Sequence, residues 1–330
     1  MRFHRLCFLA AMLPLLLPGQ VTFERLLKAD QEPGQWMTYS GGYRSWRYSG
    51  LDRINRSNVA NLELAWVYQM PVTHKLETHP LVVDGVMYAT EPPSNVVALD
   101  PATGREFWKY RRSMPDKVNV CCGQVNRGVA VLGDRVYVGT VDAHIVALDA
   151  RSGQVVWDVE VADYRTGHSI TAAPLIVKDM VIVGISGGEY GVRGFLDAYD
   201  AKTGDRRWRL WTVPGPGEKG NETWEGDSWK TGGAPTWVTG SYDPELNLII
   251  WGTGNPSPDW NGDVRKGDNL YSDCAIAVDA DTGKLKWHFQ FVPHDAVNVA
   301  VILLPVDVVA GGIVIELPVA GTDALAAAID

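Results

Sequence analysis

The chain has 330 residues, 46% of them hydrophobic and 21% charged, which is enough to bury a large core in one structural unit. A formal net charge of −9, with no basic tract to offset it, argues against a nucleic-acid partner. Thirteen tryptophans are many for this length and require either packing or a flat ligand to explain them.

Residues 1–19 carry Arg2 and Arg5, an apolar run from Leu6 to Leu17, and then Pro18 and Gly19. This reads as a secretory signal peptide, because the run is too short to span a bilayer. The cleavage site lacks the usual small-x-small form, so an uncleaved membrane anchor is the alternative. The mature chain is expected to be exported, where disulfides persist. From Val21 to Trp66 the sequence is polar and turn-rich, with Trp36, Tyr39, Tyr43, Trp46 and Tyr48 closely spaced. It reads as a segment wrapping the first repeat unit, and it ends in an expected strand, Leu62–Tyr68.

A pattern Ala-x-Asp-x-x-x-Gly-x-x-x-Trp then occurs four times, at 98–108, 147–157, 198–208 and 277–287. Four residue types holding their spacing in four copies make a repeat. Upstream of the first three copies lie strand, two-residue turn, strand patterns at 81–88, 129–138 and 175–183. Each unit is therefore a short four-stranded antiparallel sheet, and the fold class is an all-β propeller. The Asp accepts bonds from the backbone that follows it, the Gly takes a left-handed conformation, and the Trp gives the neighbouring blade a flat surface. The motifs start 49, 51 and 79 residues apart, so a long insertion precedes the last. A β-sandwich with coincidental Asp/Gly turns is the bland alternative.

Several features remain outside the repeat. A disulfide between Cys121 and Cys122 would close only an eight-membered ring and stabilise the fold little. Two reduced buried cysteines are the structural reading, and a rigid platform for a planar ligand is the functional one. Arg127 supplies a fork for carboxylate or quinone oxygens. The spacing argues against metal binding by the cysteines, since no further Cys or His stands at ligand distance in the sequence. In Ser186-Gly-Gly-Glu-Tyr-Gly-Val-Arg-Gly194 the glycines allow close backbone approach and Glu189 offers a hard carboxylate. Trp237 offers a stacking face and Asn255 a side-chain oxygen. Glu77 alone would be read as a solvated residue, and Cys274 as a buried packing residue.

Taken together, Glu77, Cys-Cys-x-x-Val-x-Arg at 121–127, Thr171-Ala-Ala-Pro, the glycine-rich run at 186–194, Gly-Gly-Ala-Pro-Thr-Trp at 232–237 and Gly-Thr-Gly-Asn-Pro at 252–256 resemble the quinoprotein alcohol dehydrogenases. The resemblance covers roughly residues 21–295. It implies an eight-bladed propeller, of which about half is present, holding pyrroloquinoline quinone and a calcium or lanthanide ion. It implies that Cys121 and Cys122 form a disulfide over one face of the quinone and that Trp237 covers the other. Glu77, Val125, Arg127, Thr171, Ser186, Gly187 and Gly188 would line its edge, and Glu189 and Asn255 would bind the metal. The implied reaction is oxidation of a primary alcohol to an aldehyde in a bacterial periplasm, with an electron acceptor such as a cytochrome c.

One departure concerns the chemistry. The family's catalytic Asp ends a His-Asp-x-Trp-Asp segment, whereas here Pro293-His-Asp295 is followed by Ala296-Val-Asn298. Read without a gap, the family's Trp becomes Val297 and its base becomes Asn298, whose amide cannot take the hydroxyl proton; read with a deletion, both residues are missing. No catalytic residue is assigned. Residues 296–330 contain no Lys, Arg, His or aromatic residue and read as a divergent or truncated apolar tail, with strands at 297–304 and 313–317. The expectations include a partner chain completing the propeller. A cofactor-free propeller scaffold is the alternative function.

Overall fold

The computed structural model describes residues 21–70 and 75–296, and the backbone alone of 306–309 and 312–315. The expected signal peptide, the strand at 297–304 and Asn298 lie outside the described residues.

Among the described residues, sixteen strands form four four-stranded antiparallel sheets, each in chain order. Blade I holds β1 (Leu81–Val83), β2 (Val86–Glu91), β3 (Asn95–Leu99) and β4 (Glu106–Tyr110). Blade II holds β5 (Ala130–Leu132), β6 (Arg135–Gly139), β7 (His144–Asp149) and β8 (Val155–Glu160). Blade III holds β9 (Leu175–Val177), β10 (Met180–Gly184), β11 (Phe195–Asp200) and β12 (Arg206–Trp211). Blade IV holds β13 (Ser241–Asp243), β14 (Leu248–Gly252), β15 (Cys274–Asp279) and β16 (Leu285–Gln290). A further hairpin pairs β17 (Val306–Val309) with β18 (Gly312–Ile315), which covers residues 313–315 of the strand expected at 313–317; residues 316 and 317 lie outside the described residues. The β-branched residues that favour a pleated surface concentrate in second strands such as β6 and β10, whose side chains are almost all buried. Fourth strands such as β8 are largely exposed.

The repeat motif sets the register of every blade. Ala98 pairs with Trp108, Ala147 with Trp157, Ala198 with Trp208 and Ala277 with Trp287, and in each case the register shifts immediately after the Ala. A small residue opposite a large ring, followed by a bulge, turns the indole toward the next blade. The motif Asp accepts from the backbone as expected: Asp100 Oδ1 from Ala102 N at 2.9 Å, and Asp279 Oδ1 from Thr282 N at 3.0 Å.

Blade-to-blade packing repeats the same contact. The indole N–H of Trp108 donates to the Ala150 carbonyl, that of Trp157 to Ala201 and that of Trp208 to Ala280. Each acceptor lies three residues after the motif Ala of the following blade. Each ring covers the motif Gly of that blade: a Cβ on Gly153 would lie 2.4 Å from Trp108, and one on Gly283 would lie 2.6 Å from Trp208. These glycines also have φ of +69° and +68°, so the turn needs them for conformation and for space.

Two expectations for the N-terminal segment are corrected. Residues 62–68 form no strand, because no neighbouring strand pairs with them among the described residues. Trp66 nevertheless docks like the motif tryptophans, donating to the Pro101 carbonyl at 3.1 Å and covering Gly104. The segment also reaches beyond blade I. Val21 bridges to Gly133 of blade II, Trp36 to Val82 of blade I, and the Tyr43 hydroxyl donates to Ile176 O of blade III while its ring meets Tyr242 of blade IV.

Candidate functional site

Antiparallel order within a blade puts the loop before its first strand and the loop between its second and third strands at one end. The short β1–β2 type hairpins and the Asp/Gly turns fall at the other. Every candidate residue lies on a loop of the first kind. Glu77, the 121–127 run, Thr171 and Trp237 precede β1, β5, β9 and β13, whereas Ser186–Glu189 and Asn255 follow β10 and β14. One end of the sheets thus collects the whole set.

Arg127 joins most of it. Its guanidinium pairs with the Glu77 carboxylate at 2.6 Å and lies 4.9 Å from the centroid of Trp237. Its backbone N–H donates to Thr171 O at 3.0 Å, and its own carbonyl accepts from His79 N at 3.0 Å. The Thr171 and Ser186 hydroxyls meet at 2.7 Å. Glu77 is therefore not the solvated residue that its isolated position suggests. Cys121 and Cys122 form a disulfide on exposed residues, and the buried Val125 connects that loop to Arg127.

Pro235 holds the remaining loops together. A Cβ on Gly188 would lie 2.9 Å from its ring and one on Gly254 would lie 3.1 Å from it, the latter also 3.3 Å from Trp237 Nε1. Only glycines permit this approach, and backbone bonds from Ala234 N to Asn255 O and from Gly254 N to Pro235 O, both 2.8 Å, seal it. The consequence is that the exposed Glu189, which follows Gly188, and the buried Asn255, which follows Gly254, stand close together.

The structure adds residues that the sequence reading missed. Asp259 Oδ1 accepts from Asn255 Nδ2 at 2.7 Å. Burial first, and then the nearby Glu189 carboxylate, push Asp259 above the usual carboxylate range, with Asp295 adding to the rise and Arg265 opposing it. Its position four residues after Asn255, in an insertion of polar residues, was the only available signal. Arg265 is fully buried, bonded to Pro258 O at 3.2 Å and Asn269 Oδ1 at 2.7 Å, and it also donates to the Asp295 carbonyl.

Asp273, beside it, is fully buried and neither carboxylate oxygen has a well-formed hydrogen bond. Burial, followed by the Asp295 carboxylate, raises it to about 8. Between the unfolded carboxyl value of about 4 and this folded value, the native state holds the extra proton, so stability falls as pH rises through that window. We expect Asp273→Asn to raise the melting temperature at pH 8 and to leave it nearly unchanged at pH 4. A gain independent of pH, read by thermal melts across that range, would assign the effect to packing instead.

The Cys274 thiol is buried in β15, as expected for a packing residue.

A family model described as the glucose/ethanol/alcohol dehydrogenase β-propeller domain, of the PQQ group, matches residues 36–321. The quinoprotein alcohol dehydrogenase PedH of Pseudomonas putida is 43% identical over 293 residues, covering 83% of this chain and 49% of that protein. The quinohemoprotein alcohol dehydrogenase ADH IIB of Pseudomonas putida is 46% identical, covering 81% of this chain and 41% of that protein. Among solved structures, the quinohemoprotein alcohol dehydrogenase ADHIIG of Pseudomonas putida superposes with a TM-score of 0.79 at 44% identity, over 84% of this chain and 43% of that one. A europium-containing methanol dehydrogenase superposes with a TM-score of 0.77 at 40% identity, over 83% of this chain and 51% of that one. The chain spans about half the length, or less, of these relatives.

Proposed function

Because the chain belongs to the PQQ-type glucose/ethanol/alcohol dehydrogenase β-propeller family, we propose that its loop-bearing end binds pyrroloquinoline quinone and a calcium or lanthanide ion for the oxidation of a primary alcohol. The observation that carries this reading is the convergence of six separate loops on Arg127 and Pro235, described above. A scaffold that only stacks blades has no physical need of an arginine shared between Glu77 and Trp237, nor of glycines that press two loops against one proline.

The residues suit such a group. Arg127, already charged and oriented by Glu77, offers N–H donors to quinone or carboxylate oxygens. Thr171 and Ser186 offer hydroxyls at the edge of the same site, and Gly187 and Gly188 bring backbone close to it. Trp237 and the Cys121–Cys122 disulfide are the flat and polarizable surfaces that would enclose a planar ring system. Glu189 and Asn255 are a carboxylate and an amide, the oxygen donors that hard cations take. Bound there, the quinone supplies a two-electron acceptor for the alcohol carbon and the cation supplies Lewis acidity.

The proton is the remaining difficulty. Asn298 stands at the ungapped position of the family base, and its amide cannot accept the alcohol proton at neutral pH. The chain is therefore assigned as a cofactor-binding member of the family in which alcohol oxidation is slow. The N-terminal sequence supports export, and we place the protein in the periplasm with a cytochrome-type acceptor.

The test is titration of the full chain with pyrroloquinoline quinone and calcium, followed by quinone absorbance and tryptophan quenching. Saturable binding is expected, and Trp237→Ala should weaken it about tenfold, the scale of one lost aromatic stack together with its buried area. Absence of binding by the unaltered chain would favour the scaffold reading.

A further inference from the structure

Asn255 is an amide with two chemically different ends, and only its oxygen can face a cation. Its Nδ2 donates to Asp259 Oδ1 at 2.7 Å and to Pro256 O at 3.3 Å, so both donors are engaged and Oδ1 remains as the coordinating end. With the residue only 3% exposed, the amide has little freedom to turn. Asp259 is in turn held in place, because the carbonyl of the preceding Pro258 accepts from the buried Arg265 at 3.2 Å.

Resting on the metal-site reading above, we propose that Asp259 is a positioning residue of the cation site: it orients the Asn255 amide and adds a second carboxylate charge beside Glu189. Two carboxylates brought together on half-buried loops repel one another, and the arrangement becomes favourable when a multivalent cation sits between the oxygen donors. A second charge also has a consequence for selectivity. The attraction between a carboxylate and an ion scales with ion charge, so Asp259 favours a trivalent ion over calcium.

The prediction separates the two roles. Asp259→Asn keeps an acceptor for the Asn255 N–H but removes the charge, whereas Asp259→Ala removes both. Affinities of the full chain for Ca2+ and La3+, measured by competition against Tb3+ luminescence, give a readout independent of turnover. Loss of an outer partner of a metal ligand typically costs 10- to 100-fold in affinity. We expect Asp259→Asn to weaken Ca2+ about tenfold and La3+ about thirtyfold, the same logarithmic loss scaled by ion charge. Asp259→Ala should weaken both ions further. Equal affinities in both variants and the unaltered chain, with binding abolished by Glu189→Gln, would overturn the role of Asp259 alone. No binding of either ion by the unaltered chain would overturn the metal site and this inference with it. An equal loss for both ions in Asp259→Asn, accompanied by a lowered melting temperature, would reduce Asp259 to a structural residue and also overturn the proposal.

Discussion

Replacing Asn298 by Asp should raise alcohol-dependent dye reduction by at least about 100-fold, the lower range of what a positioned general base contributes. The expectation depends on register. Pro293-His294-Asp295 begins the segment that in the family runs His-Asp-x-Trp-Asp, and residue 298 is where its last Asp falls without a gap. The start of that segment is anchored: Asp295 is 1% exposed, its carbonyl accepts from Arg265, and His294 Nδ1 lies 2.9 Å from Gly267 O. The assay is steady-state reduction of an artificial acceptor, with the chain loaded with quinone and calcium and supplied with a primary alcohol. If the unaltered chain already turns over as fast as the variant, another group takes the proton and the assignment of a missing base is wrong. If the variant binds the quinone and stays silent, the segment after Asp295 does not follow the ungapped register.

The second large effect is on stability. Trp208→Ala is expected to destabilise the chain by about 3–5 kcal/mol, the range for removing a buried aromatic ring. Trp208 is 9% exposed, donates to Ala280 O at 3.0 Å and fills the space over Gly283, so its loss opens a cavity between blades III and IV. Trp208→Phe keeps most of the contact and leaves the carbonyl unpaired, which should cost about 1 kcal/mol. Overfilling the same joint gives an independent check. Gly283→Ala places a methyl where 2.6 Å separates it from the indole, at a φ of +68°, and should cost about 1–3 kcal/mol or more. Urea unfolding followed by tryptophan fluorescence measures all three. Near-neutral behaviour of Trp208→Ala would show that the blades are held by their sheets and the N-terminal segment rather than by the docking contacts.

The repeat was legible because its physics is local. An Asp, a Gly and a Trp at fixed spacing specify one turn, one left-handed residue and one ring, and these recur in four blades with the same register and bulge. The residues of the candidate site were also legible, but as separate short runs. Glu77 is the plainest case, since a single carboxylate before a strand carries no sign of the arginine that lies 50 positions away in the chain.

What the sequence by itself determined is the blade: all-β class, strand order, turn chemistry and the loops on which candidate residues lie. Only the tertiary structure decided which of those loops meet, that Pro235 joins Gly188 to Gly254, that Asp259 bonds Asn255, and that residues 62–68 dock a tryptophan without forming a strand. The reason is that strands and turns arise from neighbours within a few residues, whereas the residues that meet in this site lie from 15 positions apart, as Thr171 and Ser186 do, to 110 apart, as Arg127 and Trp237 do. Their approach depends on the stacking of whole blades, and no local pattern encodes that distance.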